Sequence, residues 1–236
     1  MQTAIQKNQH RIQLRVTIPE TNPQMDVYRI GTLLELAREM ATALAQDGDH
    51  VKVCVQQSMG QGVFQGLPLS LSGVRRIMEA MDWGDIADFV HFGQVGADQV
   101  DKCRYYVLIA PQNVVGTTIM TNLGDMVHAA EDQDKTLVLL NPVLKDIPSA
   151  DAVMGIRGRK ERVALTNSFQ AAYHFRLLYM SSAMMYPIMG ALRHCYDGPW
   201  EVYKRVQLGK KEEEYRLVAT FDEEPVGAKL TKIFLK

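Results

Sequence analysis

Cysteine is scarce. The 236-residue chain has three, Cys54, Cys103 and Cys195, far apart and never in a C-x-x-C pair. So scattered and odd a set excludes a disulfide framework and a four-ligand zinc site, and it fits a reducing compartment. The histidines at 10, 50, 91, 128, 174 and 194 show neither H-x-x-x-H nor H-E-x-x-H spacing, so no metal site is expected. An excess of charge is missing too. Lys and Arg total 26 against 27 Asp and Glu, a net charge near −1. That balance offers no electrostatic footprint for nucleic acid, and no nucleic-acid partner is expected.

Leader and anchor signals are also missing. The opening MQTAIQKNQH has no apolar h-region and is too short and too poor in Arg and Ser for a plastid transit peptide. The uncharged, methionine-rich stretch LLYMSSAMMYPIMGAL at 177–192 is interrupted by Pro187 and two serines. It falls short of the ~20 apolar residues that cross a bilayer, so it reads as a buried segment and no transmembrane span is expected. The expected location is cytoplasmic.

What is present is a chain that is 47% hydrophobic, enough for one large domain with a substantial interior. Residues 1–9 read as a flexible N-terminus and 10–236 as a single α/β domain. Its parallel core covers roughly 10–150 and a mixed or antiparallel part roughly 151–236. HRIQLRVTIPE (10–20) alternates like a half-buried strand. From Gln24 to Gln46, Val27, Ile30, Leu33, Leu34, Ala37, Met40, Ala41 and Leu44 recur at helical spacing. HVKVCVQ, DFVHFGQV, RYYVLIAPQ and TLVLLNP read as further strands, and 73–84 and 116–132 as helices. Beyond 160 the spacing predicts a strand over 161–179, a short helix over 186–196 and a hairpin around GKKEE. The expected fold is a mixed, mainly parallel sheet with flanking helices, a Rossmann-like three-layer arrangement, plus a C-terminal antiparallel hairpin.

Two loops are candidate sites. QQSMGQGVFQGLPLSLSG (56–73) places Gly60, Gly62 and Gly66 as G-x-G-x-x-x-G among the hydroxyls of Ser58, Ser70 and Ser72. The dinucleotide fingerprint runs G-x-G-x-x-G straight into a helix. Here Gln65 replaces the third glycine and Pro68 breaks the path. There is no G-K-[ST] either. The loop is therefore a turn-rich surface segment, a ligand or partner loop, or a nucleotide cradle, in falling order of fit. Ser72 also suits the N-cap of the following helix. The second loop, APQNVVGTT (110–118), leaves a buried strand for a helix, where ligands and anions bind in open α/β sheets. Gln112, Asn113, Thr117 and Thr118 there, with Asn141 after the next strand, supply polar groups, although Thr117 or Asn113 also suits ordinary capping.

Arg176, inside the apolar YHFRLLY, needs a partner, either a carboxylate of the fold or a ligand anion. Arg157, Arg159, Lys160 and Arg162 read as a solvated basic turn before a contact for phosphates, an acidic partner or anionic lipid head groups. His194 beside Cys195 fails as a nucleophile pair, since sequence neighbours face apart, and the histidine reads as exposed beside a buried cysteine. No paired carboxylates suggest acid–base catalysis, and no residue set calls for a cofactor.

Four segments are long and distinctive: RVTIPETNPQMDVYRIGTLLELAREMA, VCVQQSMGQGVFQGLPLSLSGVRRIMEAMDWG, APQNVVGT and YPIMGALRHCYDGPWEVYKR. Together they resemble a domain-of-unknown-function family of cyanobacteria and chloroplasts. That family includes the plant low photosystem II accumulation protein, which aids assembly of the CP43 chlorophyll protein, and the C-terminal domain of a chloroplast adenylate kinase. The likeness spans about 10–220 and carries no catalytic motif. It implies a non-catalytic accessory or assembly factor for photosynthetic membrane complexes, photosystem II first among them. Its partners would then be photosystem II subunits or assembly factors, met peripherally at the thylakoid surface. A different reading also stays open: an enzyme or sensor that binds a phosphorylated small molecule or nucleotide at the C-terminal ends of the parallel strands.

Overall fold

The structure, a computed structural model, describes residues 1–22, 25–56, 71–113, 119–144, 158–180, 187–209 and 212–234, with the backbone alone at 71 and 72. In chain order the elements are α1 (Gln2–Gln6), β1 (Arg11–Thr17), α2 (Ile30–Ala45), β2 (Val51–Val55) and α3 (Leu71–Ala80). Then come β3 (Val90–Gln94), β4 (Tyr105–Ile109), α4 (Ile119–Glu131), β5 (Thr136–Leu140) and α5 (Arg159–Asn167). The last five are β6 (Gln170–Tyr179), β7 (Ile188–Cys195), β8 (Trp200–Gln207), β9 (Glu213–Phe221) and α6 (Gly227–Phe234).

The strands form one sheet in the order β3-β2-β4-β5-β1-β6-β7-β8-β9. Pairing is parallel from β3 to β6 and antiparallel from β6 to β9. This is the expected mixed α/β class.

Strand pleating sorts the core into layers. Tyr105, Val107 and Ile109 of β4 join Leu33, Leu34 and Ala37 of α2 and Met78 of α3 in one cluster. The alternate residues Tyr106 and Leu108 join Leu123 and Met126 of α4 in a second cluster, on the opposite face. All five residues of β4 and of β5 are buried, as strands covered on both faces must be. The chain moves outward from β1 to β3 with α2 and α3 on one face, then returns through β4 and β5 with α4 on the other. Right-handed crossovers produce this pattern. A third cluster, Leu192, Trp200, Val202 and Leu230, lies where α6 covers the antiparallel strands.

Several expectations need correction. The helix expected from Gln24 starts at Ile30, and Val27 is exposed, although Leu33, Leu34, Ala37, Met40, Ala41 and Leu44 are buried as expected. The first part of 161–179 is helix α5, and only its second part is strand β6. No α5 residue is fully buried, so α5 lacks the apolar stripe that marks a packed helix. The segment 186–196, expected as a helix, contains strand β7. Its Met, Ala and Leu favour helix in isolation, but β6 and β8 offer a ladder on both sides, and tertiary pairing overrides propensity. On that strand His194 is buried and Cys195 half-buried, the reverse of the expected exposure. The helix α6 was not anticipated at all.

Gly190 marks the closest approach inside the antiparallel part. A Cβ built there would collide with the Tyr203 carbonyl oxygen on β8 and lie 3.0 Å from the Phe234 ring of α6. Gly190→Ala is therefore expected to lower stability by about 3 kcal/mol, the upper range for overpacking. A fall in the urea midpoint with an unchanged denaturant slope would register it.

Candidate functional site

Two strand ends build the site. β4 and β5 each finish in a residue with left-handed backbone, Ala110 at φ 42° and Asn141 at φ 48°. Left-handed backbone is uncommon outside glycine and clusters at functional positions. The chains then stay together beyond the turn, for Gln112 and Val143 form a parallel bridge, with the Val143 amide donating to Pro111 O at 2.9 Å. Two side chains hold this geometry. Gln56, after β2, donates to Gln112 O at 3.1 Å and accepts from the Gln112 amide at 2.8 Å. Asn141 accepts from the Val16 amide at 2.6 Å and donates to Val16 O at 2.9 Å. Each side chain imitates a strand residue where the backbone ladder has ended.

Between these ends and β1 lies a crevice of about 390 Å³, lined by Arg15, Thr17, Tyr28, Gln112, Asn141 and Val143 among others. That volume suits a small molecule. The chain leaves β1 for α2 on one face of the sheet. After β5 the next described helix, α5, packs Leu165 on the other face. Adjacent strands whose connections part in this way leave a crevice at their C-terminal ends, and ligands of open α/β sheets bind there.

The crevice is electropositive. Burial lowers the Arg15 guanidinium's pKa from its usual value; Glu224 raises it and neighbouring Arg176 lowers it further. The Nε of Arg15 is buried without a hydrogen-bond partner, and so is the hydroxyl of Tyr28. Burial also raises the Tyr28 pKa, keeping it a neutral donor. Buried polar groups are normally satisfied, so this wall presents one cationic and one neutral donor to whatever fills the space.

Of the expected site residues, the structure brings Gln112 and Asn141 to the crevice. Asn113 is adjacent, its amide donating to Val143 O at 2.9 Å. Arg176 is paired with Thr17 across β1 and β6, and its guanidinium lies 3.8 Å from Glu224. Ser58, Gly60, Gly62, Gly66, Ser70, Thr117 and Thr118 lie outside the described residues. Ser72 falls within α3, which begins at Leu71, so it is not the N-cap. Sequence reasoning missed Arg15, Thr17 and Tyr28. Arg15 was visible only as a polar position of an alternating strand, and alternation does not separate a solvent face from a crevice.

Two other polar clusters stand apart from this site. Lys52, on β2, donates to Asp101 at 2.6 Å and to Gln99 O at 2.8 Å. Burial raises the pKa of Asp101, but hydrogen bonds from Lys52 and Cys103 outweigh it and hold the carboxyl below the usual range. His50 and His91 share one hydrogen bond at 2.8 Å. Among the described residues no group of three or more His, Cys, Asp or Glu is placed to hold a metal ion, and no helix is long and apolar enough to cross a membrane.

A three-layer α/β domain with an electropositive crevice at its strand ends is the class that fold and site define. The sequence model of the family described as Domain of unknown function (DUF1995) matches residues 1–232. The chain belongs to that family.

Asn141 tests whether the crevice wall depends on this one side chain. Asn141→Ala strands the Val16 amide, while Val16 O keeps the Thr21 hydroxyl, and it keeps a strained φ; it is expected to cost about 2–3 kcal/mol. Asn141→Gly loses the same bonds without the strain and should recover about 1 kcal/mol of that. Paired urea denaturations measure both.

Proposed function

We propose that this chain is a binding module that takes a small phosphorylated molecule into the crevice between β1, β4 and β5. The observation that carries this reading is the half-buried Arg15, which lines the space with a buried, unpartnered Nε. A desolvated guanidinium is costly without an anion, and its fork matches phosphate oxygens. Tyr28, Thr17 and Gln112 add neutral polar groups that orient a ligand. Binding of this kind fits a sensor. It also fits an enzyme whose reacting groups come from the ligand and the loops together.

Thermal-shift screening with nucleotides and sugar phosphates tests the reading. A true ligand at a hundred times its Kd should stabilise the protein by about 2.7 kcal/mol, and Arg15→Gln should abolish the shift. A flat response across the panel from well-folded protein overturns it.

A second reading rests on family membership and the resemblance it carries: an accessory factor in the assembly of photosynthetic membrane complexes, most of all photosystem II, acting from the cytoplasm at the thylakoid surface. The exposure of Met180, 63%, favours it, because this residue opens the methionine-rich stretch 180–190 and methionine adapts to irregular partners. Residues 181–186 of that stretch lie outside the described residues. Deleting the gene in a cyanobacterial host should lower photosystem II accumulation, and part of the protein should sediment with thylakoids. Normal photosystem II levels in the deletion strain would sink this reading and leave the first intact.

A further inference from the structure

The ion pairs of this protein are mostly tight. Arg193 meets Glu201 at 2.7 Å, Arg104 meets Asp49 at 2.8 Å and Lys52 meets Asp101 at 2.6 Å. Arg176 and Glu224 are different, with 3.8 Å between guanidinium and carboxylate, beyond hydrogen-bond reach. The Nε of Arg176 is buried and unpartnered, as is that of Arg15. Register explains why the two guanidiniums meet. Arg15 is opposite His174 and Thr17 is opposite Arg176 on the neighbouring parallel strand, so Arg15 and Arg176 share one face of the sheet, a step apart. Glu224 comes from the connection between β9 and α6 and is half exposed. It acts electrostatically on Arg15 as well as pairing loosely with Arg176.

We propose that Arg15 and Arg176 form a two-arginine phosphate subsite and that Glu224 is its resident counter-ion, displaced when the phosphate enters. This rests on the reading of the crevice as a phosphate-ligand site and adds how that site is regulated. Among the described residues, two guanidiniums face one carboxylate, which leaves one positive charge uncompensated and the Nε groups unsatisfied. A phosphate dianion matches both charges and offers three acceptor oxygens to the donors. A monoester and free phosphate share this chemistry. The Glu224 carboxylate, on the connection 222–226, competes with the entering phosphate for the same two cations, so the site's affinity depends on where that carboxylate lies.

Isothermal titration of the full-length protein with inorganic phosphate tests this, with the thermal midpoint read alongside. Glu224→Gln should bind phosphate about tenfold tighter than wild type, as removal of a competing charge predicts. Arg176→Gln in the same background should abolish the gain. Arg176→Lys, which keeps the charge but loses the planar fork, should abolish most of it and guards against a fold failure of the glutamine variant. Phosphate binding by Glu224→Gln alone, with wild type silent, also supports the proposal. If Glu224 only stabilises the fold, Glu224→Gln lowers the thermal midpoint and leaves the affinity unchanged, and the proposal falls. Phosphate binding indifferent to all three substitutions overturns the proposal while the crevice reading stands. No phosphate binding by wild type or Glu224→Gln overturns the proposal, and the crevice reading then stands or falls on the nucleotide and sugar-phosphate panel alone.

Discussion

Strand β1 has to pair in parallel on both sides at once, with β5 and with β6. Much else follows from this constraint. A central strand has no free edge, and with helices on both faces of the sheet its two sides each need cover. Ile12 and Leu14 meet it on the α2 side within the first core cluster. On the other side the strand carries Arg11, Gln13 and Arg15, and each needs a polar solution. Arg11 reaches Glu131 on α4, and Gln13 donates to Phe169 O at 3.2 Å. Arg15, one step nearer the open ends, has Glu224 as a distant counter-charge. The crevice is where the cover from both layers ends while the strand continues.

The crevice wall is likewise a consequence of pairing. Parallel strands of equal length would end in a row of unpaired amides, and buried amides must be satisfied. Gln56 and Asn141 do this with side-chain amides, Asn141 from the left-handed backbone that asparagine tolerates better than most residues. These two residues are thus largely spent on holding the wall. The donors left for a ligand belong to Arg15 and Tyr28, from β1 and the turn before α2.

Much of this fold was legible because its buried strands are apolar and β-branched and its main helix is strongly periodic. β4, β5 and α2 were read from runs such as YYVLI and from the Leu33–Leu44 spacing. β7 and α5 were misread for opposite reasons. β7 has helix-forming residues but neighbours on both sides, while α5 has helix-forming residues and little burial to impose a period. Of the site, Gln112 and Asn141 were legible because they follow buried strands directly. Arg15 was not, because its meaning depends on β6 lying next to β1, a contact between residues more than 150 positions apart.

Arg15 also bears on what the site is for. A long apolar side chain at this position would cover the same strand without desolvating a charge, and such exchanges are often neutral or stabilising. Stability therefore supplies no reason for an arginine here, beside a second arginine that repels it. Repulsion between Arg15 and Arg176, a carboxylate kept at 3.8 Å and two unsatisfied Nε groups all carry a cost. One added dianion would relieve all three. A charge arrangement that costs stability by itself and that a dianion would relieve is the physical ground for the proposed phosphate site, whether the domain acts alone or reports its ligand to a larger assembly.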